Sequence, residues 1–287
     1  MIVDVYEYFK RHPRYNKLVG SDYLFVEYKC PINVEEYQLW TDSHLITYVI
    51  NGKKDWISSK KTFEICKGDA LFVRKGVYAT RQYFEVDYCV MLFFITDDFI
   101  KNFVLENQLS GTDNSVVDQD QIFNIDVNDT LESLIQSVFN YLKEGGDIPR
   151  NLVEMKFKEL LFNIILNPKN KKLANFFTSL DSTGKADLEY ILQQNFQYDL
   201  KMEDLAKLSG RSLSSFKRDI KSFFNETPGA FLKRKRLEYA STLLQNSDLT
   251  VNEVCYESGF KNPSHFNKIF KDKYGLPPKQ FRLGHNL

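Results

Sequence analysis

Histidine and cysteine are scarce in this chain, four of each among 287 residues. Metal centres need several His, Cys or carboxylate side chains converging on one ion. Residues 1–128 hold only His12 and His44, with no HxH pair. No metal, cofactor or catalytic residue is therefore expected, and His44 reads as a structural or hydrogen-bonded histidine. Cys30, Cys66, Cys89 and Cys255 show no CxxC spacing and no dense framework. Buried free thiols in a reducing cytoplasm are the expectation. Long apolar runs are missing as well. The longest, around Tyr88 to Thr96, is far too short to span a bilayer. The N-terminal stretch MIVDVYEYFKRHPRY is charged throughout, unlike a signal peptide. A cytoplasmic location and no membrane partner follow as expectations.

Net charge is absent too: 38 Lys+Arg balance 38 Asp+Glu. The balance conceals an asymmetry. From Lys185 onward there are 17 basic and 12 acidic residues, which leaves 21 and 26 in residues 1–184. A basic C-terminal part suits nucleic acid, and an acidic remainder stays off it.

What the chain does have is one pattern written twice. The first copy runs from Leu205 to Leu232 and the second from Val254 to Phe281. Ser209-Gly210 matches Ser258-Gly259 at an offset of 49 residues, and from Ser212/Asn262 onward the offset is 50. Phe216/Phe266, Ile220/Phe270, Lys221/Lys271, Pro228/Pro278 and Phe231/Phe281 then fall into register. Each copy predicts a short helix, a turn at Gly and a second helix. Ser212 and Asn262 are good N-caps, and Pro263 stands at the first helical position. Phe216, Ile220 and Phe223 should face inward in copy one, and Phe266, Ile269 and Phe270 in copy two.

The outward positions suggest function. They are Ser214, Ser215, Lys217, Arg218 and Lys221, then Ser264, His265, Asn267, Lys268 and Lys271. With the caps Ser212 and Asn262 they form the candidate DNA-binding set. They are hydrogen-bond donors without an acidic stripe, Asp219 and Asp272 excepted, and suit phosphates and base edges. The bland alternative is a solvated helix face. Two equivalent helices in a duplicated unit weigh against it.

These elements resemble the DNA-binding domain of the AraC/XylS family of transcription regulators. The resemblance is carried by Leu205-Ala206, Ser209-Gly210, Ser212, Phe216-Lys217-Arg218, Phe223, Pro228, Arg236-Leu237, Ala240 and Leu243-Leu244. Val254, Gly259-Phe260, Ser264, Phe266, Phe270-Lys271, Gly275, Pro278 and Phe281-Arg282 complete it. Together they cover roughly the last third of the chain. Cys255 stands where the family usually has Ala, and Lys268 where Arg is common. The resemblance implies double-stranded promoter DNA and RNA polymerase as partners, activation rather than repression, and no enzyme activity. It also implies that Arg236 packs its stem inside the domain. Lys233, Arg234 and Lys235 are secondary phosphate candidates. Two recognition helices on one rigid linker helix should lie about one DNA turn, or roughly 34 Å, apart.

Residues 1–128 read mainly as β. Tyr23 to Tyr28, Leu45 to Ile50, Thr62 to Ile65, Ala70 to Val73 and Cys89 to Ile95 are short runs rich in β-branched and aromatic residues. Asn51-Gly52 signals a hairpin to Trp56-Ile57. An antiparallel barrel or sandwich follows. Many AraC-family members carry a cupin-like jelly-roll sensor here, and Glu64 to Ala79 resembles the ExsA-type branch. Phe25, Tyr28, Trp40, Tyr48, Phe72, Tyr83, Phe84, Phe93 and Phe94 would line an apolar ligand site or simply form the core. Residues 104–128 read as loop.

Helical patterns follow from Asp129 to Leu142, closed by Gly145-Gly146, from Pro149 to Ile165, and from Lys172 to Leu180. The second is apolar on more than one face. By resemblance it belongs to a dimerisation element; otherwise all three helices pack only on one another and on the barrel.

The chain thus reads as an α+β multidomain protein. A cupin-like sensor occupies 1–128, a helical dimerisation segment 129–180, a linker 181–186, and an all-α domain with two helix-turn-helix units 187–287. The expected protein is a sequence-specific transcription regulator, a homodimer controlled by a small-molecule effector or a regulatory protein. Competing readings are a structural dimerisation domain without effector, a cupin-type enzyme, and a protein-interaction module. Missing ligand histidines oppose the enzyme, and the charge asymmetry opposes the interaction module. The motifs do not choose between effector classes and name no operator.

Overall fold

The runs of β-branched and aromatic residues form strands, and so do several quieter stretches. In the computed structural model, residues 3–20, 22–29, 34–58, 61–109, 120–144, 148–180 and 185–283 are described. The chain separates into two units, 1–183 and 184–287.

The first unit begins with β1 (Val3–Asp4), α1 (Val5–Arg11), β2 (Lys17–Val19), β3 (Tyr23–Lys29), β4 (Glu36–Thr41) and β5 (His44–Asn51). It continues with β6 (Lys53–Ile57), β7 (Thr62–Cys66), β8 (Ala70–Val73), β9 (Gly76–Gln82), β10 (Cys89–Ile95), α2 (Asp97–Glu106) and β11 (Ile122–Ile125). Three helices close it: α3 (Asp129–Glu144), α4 (Arg150–Leu166) and α5 (Lys171–Ser179). One sheet runs β1-β4-β9-β6-β7 and the other β11-β8-β5-β10-β3-β2. Among the described residues every strand pair is antiparallel except β1 with β4.

The six-stranded sheet is buried on both faces. Side chains alternate along a strand, so Leu24, Val26, Val90, Leu92 and Phe94 meet the other sheet. Tyr23, Phe25, Met91, Phe93 and Ile95 meet α2 to α5. This two-sided burial explains why β10 is apolar at every position. It also divides the aromatic set. Tyr28 and Phe94 lie between the sheets, Phe25, Tyr48, Phe72 and Phe93 lie under the helices, and Phe84 is exposed.

Several expectations are corrected. Asn51-Gly52 makes no hairpin: β5 and β6 belong to different sheets. Gly52 has φ +82°, and a Cβ there would lie 2.9 Å from the Asp87 carbonyl oxygen and the Tyr88 Cα. The glycine lets the chain cross between sheets against that backbone. The stretch read as loop contains the end of α2 and all of β11, which pairs with β8. α1 interrupts the β region, begun by an Asp4 cap that accepts from the Glu7 N–H. Cys66 is exposed, with Sγ 3.1 Å from Asp69, while Cys89 and Cys255 are buried. Cys30, residues 110–119, Gly145-Gly146 and residues 181–184 lie outside the described residues. Among the described residues no helix is long and apolar enough to cross a membrane.

The second unit comprises α6 (Lys185–Asn195), α7 (Met202–Leu208), α8 (Leu213–Phe224), α9 (Pro228–Asn246), α10 (Val251–Glu257), α11 (Pro263–Tyr274) and α12 (Pro278–Leu283). α6 opens two residues inside the stretch read as linker. One core joins α9, α10 and α11 through Leu237, Ala240, Leu244, Val254, Cys255, Phe260, Phe266 and Phe270. α7 and α8 bury Leu205, Leu208, Phe216 and Ile220. Phe223 is exposed, contrary to expectation. α8 ends at a left-handed Asn225 (φ 55°), and Phe224 takes the inward place, 4.9 Å from Phe231 between ring centroids.

Candidate nucleic-acid interface

Two helix pairs carry the candidate residues. α7 and α8 are joined through Gly210 (φ 64°), and α10 and α11 through Gly259 (φ 86°). Such positive φ is tolerated by glycine at little cost. Ser212 Oγ accepts from the Ser215 N–H at 3.3 Å, and Asn262 Oδ1 from the His265 N–H at 3.0 Å. Both caps are therefore engaged in holding helix N-termini, with Pro263 at the start of α11. α10 has a full capping box: Thr250 Oγ1 accepts from Glu253 N–H, and the Glu253 carboxylate accepts from Thr250 N–H.

Ser214, Lys217, Arg218 and Lys221 on α8 are exposed, as are Ser264, His265, Asn267, Lys268 and Lys271 on α11. Ser212 and Asn262 are exposed too, and Ser215 is half-buried. The inward Phe216, Ile220, Phe266 and Phe270 fix this presentation, because three- and four-residue spacing keeps one stripe in the core.

The α8 surface is not a set of independent cations. Asp219 Oδ2 receives Arg211 Nε at 3.0 Å, and Asp219 Oδ1 lies 3.4 Å from Arg218 Nε. Arg218 Nη2 also donates to Ser215 Oγ at 3.0 Å. Arg218 remains mostly exposed and is free to exchange these weak surface contacts for others. Arg211 was missed from the sequence. Its signal is its place directly before the Ser212 cap, one turn and more from the carboxylate at Asp219.

On α9 the basic cluster divides. Arg236 Nε donates to the Phe196 carbonyl at 2.5 Å and Nη2 to the Tyr198 carbonyl at 3.1 Å. Burial lowers its pKa. It is a structural clasp, as the resemblance implied. Arg234 pairs with Glu226 and Glu238, and Lys235 reaches Glu238 at 3.9 Å. Of the other three, Lys233 alone is exposed. Arg282 repeats the clasp on the other side, donating to the Leu244 and Leu249 carbonyls.

The family description "Helix-turn-helix domain" matches residues 205–284, and "ExsA N-terminal regulatory domain" matches residues 44–176. The chain belongs to the AraC/XylS family. As a member, it is a transcription regulator with an N-terminal regulatory domain and a C-terminal DNA-binding domain. It is 27% identical to the thermoregulatory protein LcrF of Yersinia pestis over 82% of this chain and 87% of the relative. It is 24% identical to the transcriptional regulator ExsA of Pseudomonas aeruginosa over 89% of this chain and 92% of the relative. A crystal structure of apo ToxT from Vibrio cholerae aligns at a TM-score of 0.45 and 12% identity, covering 92% of this AraC/XylS-family chain and 98% of ToxT.

Proposed function

We propose that this chain is a cytoplasmic activator that binds promoter DNA as a homodimer through α8 and α11 and contacts RNA polymerase. The observation that carries the reading is the duplicated exposed face. Two capped helices, each anchored by buried aromatics, present donors from Ser214 to Lys221 and from Ser264 to Lys271. In this reading both helix pairs are helix-turn-helix units. Ser214, Lys217 and Arg218, with Ser264, Asn267 and Lys268, meet base edges, and Lys221 and Lys271 meet phosphates. The basic excess after residue 184 supports it.

The first unit is the controlling part, a cupin-like sandwich answering to a small molecule or a partner protein. Dimerisation is assigned to α4. Leu152, Met155, Phe162 and Leu166 lie along one side at spacings of three, seven and four residues, with exposed Glu159 in the gap, and Met155 is 65% and Leu166 72% exposed. An apolar stripe of that kind is covered in most stable proteins.

Filter binding of the full chain to promoter fragments, titrated with salt, tests the central reading. A steep linear fall of log affinity with log salt, plus preference for one fragment, is the expected result. A flat salt response or no DNA retention would sink it.

A further inference from the structure

α9 packs against both α8 and α11. Phe224 at the end of α8 meets Phe231 of α9. Phe266 and Phe270 of α11 share a core with Leu237, Ala240 and Leu244 of α9. Apolar packing is non-directional, so these seats alone let each helix pivot on α9. Directional ties stand at the helix ends. Arg234 Nη2 pairs at 2.9 Å with Glu226 Oε1, directly after the left-handed Asn225 that closes α8. Arg234 Nη1 lies 3.2 Å from Glu238 Oε1, one turn further along α9. The same Glu238 oxygen faces Lys273 Nζ, near the end of α11, at 3.4 Å. That ammonium also donates to the Arg234 carbonyl at 3.3 Å. Glu226, Arg234, Glu238 and Lys273 thus form one chain of ion pairs from the end of α8 to the end of α11. We propose that Glu238 is a positioning residue that sets the spacing and relative rotation of the two recognition helices, and so decides which separation of two DNA segments the protein accepts.

The repeat itself does not call for these charges. At the offset of 50 residues Lys273 matches Phe223, and Leu276 matches Glu226. Both counterparts are exposed apolar side chains. The charged members therefore stand where the two copies differ, which is where a tie between the copies has to be written.

One exposed ion pair contributes little. Here one carboxylate faces cations on two helices, and one guanidinium is held by two carboxylates. Arg234 also lies over the Phe231 ring, 4.8 Å from its centroid, which joins the polar chain to the apolar seat of α8. Partial burial alone would raise the Glu238 carboxyl, but Arg234 and Lys273 carry it below the usual carboxylate range. Glu238 is therefore ionised at neutral pH, as the chain of pairs requires. Hydrogen bonds and ion pairs of fixed geometry select an orientation even where they add little stability.

This inference rests on the reading that α8 and α11 both enter DNA, and the test separates the two. The full-length protein selects a duplex from a random pool, and footprinting maps the segments it protects. Affinity is measured for that duplex and for versions with one or two base pairs inserted between the segments. Each insertion shifts one segment by about 3.4 Å and turns it by about 35°. The unsubstituted protein should lose about tenfold or more with one insertion. Glu238→Gln keeps the side-chain size and removes the charge. It should bind the selected duplex less tightly and the inserted ones no less tightly, so that the ratio between them shrinks about three- to tenfold. Lys273→Met should do the same, and the double variant no more than either alone. Lys273→Arg should keep the original ratio. Urea midpoints show which variants are folded. An unchanged ratio in Glu238→Gln, equal loss on all duplexes, a double variant whose ratio shrinks by the product of the two, or an unsubstituted protein indifferent to insertion overturns the positioning role. Each of these outcomes leaves DNA binding intact; a protein that selects no duplex removes the DNA-binding reading and this inference with it.

Discussion

His44 Nε2 lies 2.6 Å from Asp97 Oδ1. The imidazole is 1% exposed and packs against Phe72 and Phe176. Its Nδ1 accepts from the Lys75 N–H at 3.2 Å, so the proton sits on Nε2 and is donated to Asp97. An ion pair joins Lys75 Nζ to the other Asp97 oxygen. The network ties β5 to the start of α2 and to α5.

That pair predicts a pH dependence. Burial lowers the His44 pKa against the opposing pull of Asp97. Burial alone would raise the Asp97 carboxyl, but the Lys75 ammonium and the His44 hydrogen bond carry it well below the usual carboxylate range. Both folded pKa values are depressed. The unfolded chain therefore takes up protons first as pH falls, below about 6.5 for His and about 3.9 for Asp. Stability should be full near neutrality and decline with acidification. His44→Asn should cost about 1–3 kcal/mol at pH 7 by removing the imidazole, one of the two partners of Asp97, and should flatten the decline between about pH 6.5 and 5. Urea midpoints of both proteins across that range decide it; parallel slopes would refute the role given to His44.

The two turn glycines should differ. At Gly210 a Cβ meets nothing within 4 Å, so Gly210→Ala carries only the left-handed backbone cost of about 1–2 kcal/mol. At Gly259 a Cβ would fall 2.5 Å from the Gln197 carbonyl oxygen and 3.0 Å from Arg236 Nε. Gly259→Ala should add about 1–3 kcal/mol of overpacking to that cost. Denaturant melts of the two variants are the check, and equal losses would contradict the packing argument.

Arg218→Ala should cost about 1–3 kcal/mol of DNA affinity and relax preference at one base pair. Lys221→Ala should weaken all sequences alike and reduce the salt slope by about one unit. Binding to an operator and its single-base variants at several salt concentrations distinguishes them. Equal loss across all variants for Arg218→Ala would remove its base-reading role.

On α4, Met155→Lys with Leu166→Glu should leave stability within about 0.5 kcal/mol, since both side chains face solvent in one copy. The same pair should convert dimer to monomer. Sedimentation at several concentrations reads the outcome; an unchanged association state would move the interface away from α4.

Much of the second unit was legible in advance, because its signals are local. A cap such as Ser212, a turn at Gly259 and a three-four spacing such as Phe266 to Phe270 act within one or two turns of helix. Phe223 and Phe224 show the limit. Both satisfy the period, and the left-handed turn at Asn225 together with the position of Phe231 chose between them. Arg211 and Arg234 show another. Their charge is plain from the chain, but the carboxylates that hold them, Asp219 and Glu226, each eight residues away, are found through packing.

The sequence by itself determined that two parts of opposite charge balance exist, that the basic part is a duplicated helical unit, and which of its polar side chains on α8 and α11 point outward, half-buried Ser215 excepted. Only the tertiary structure decided how the β half is put together. Strands such as β10 are apolar at every position, because one face meets helices and the other meets a second sheet. A period of two is erased when both faces are buried, so the chain alone could not sort Phe93 from Phe94. Long-range pairing also turned Asn51-Gly52 from a hairpin into a crossing between sheets, and brought Lys54 of β6 to face Tyr37 of β4 and Tyr88. No local rule reaches across such separations; they are settled by which surfaces can be buried together.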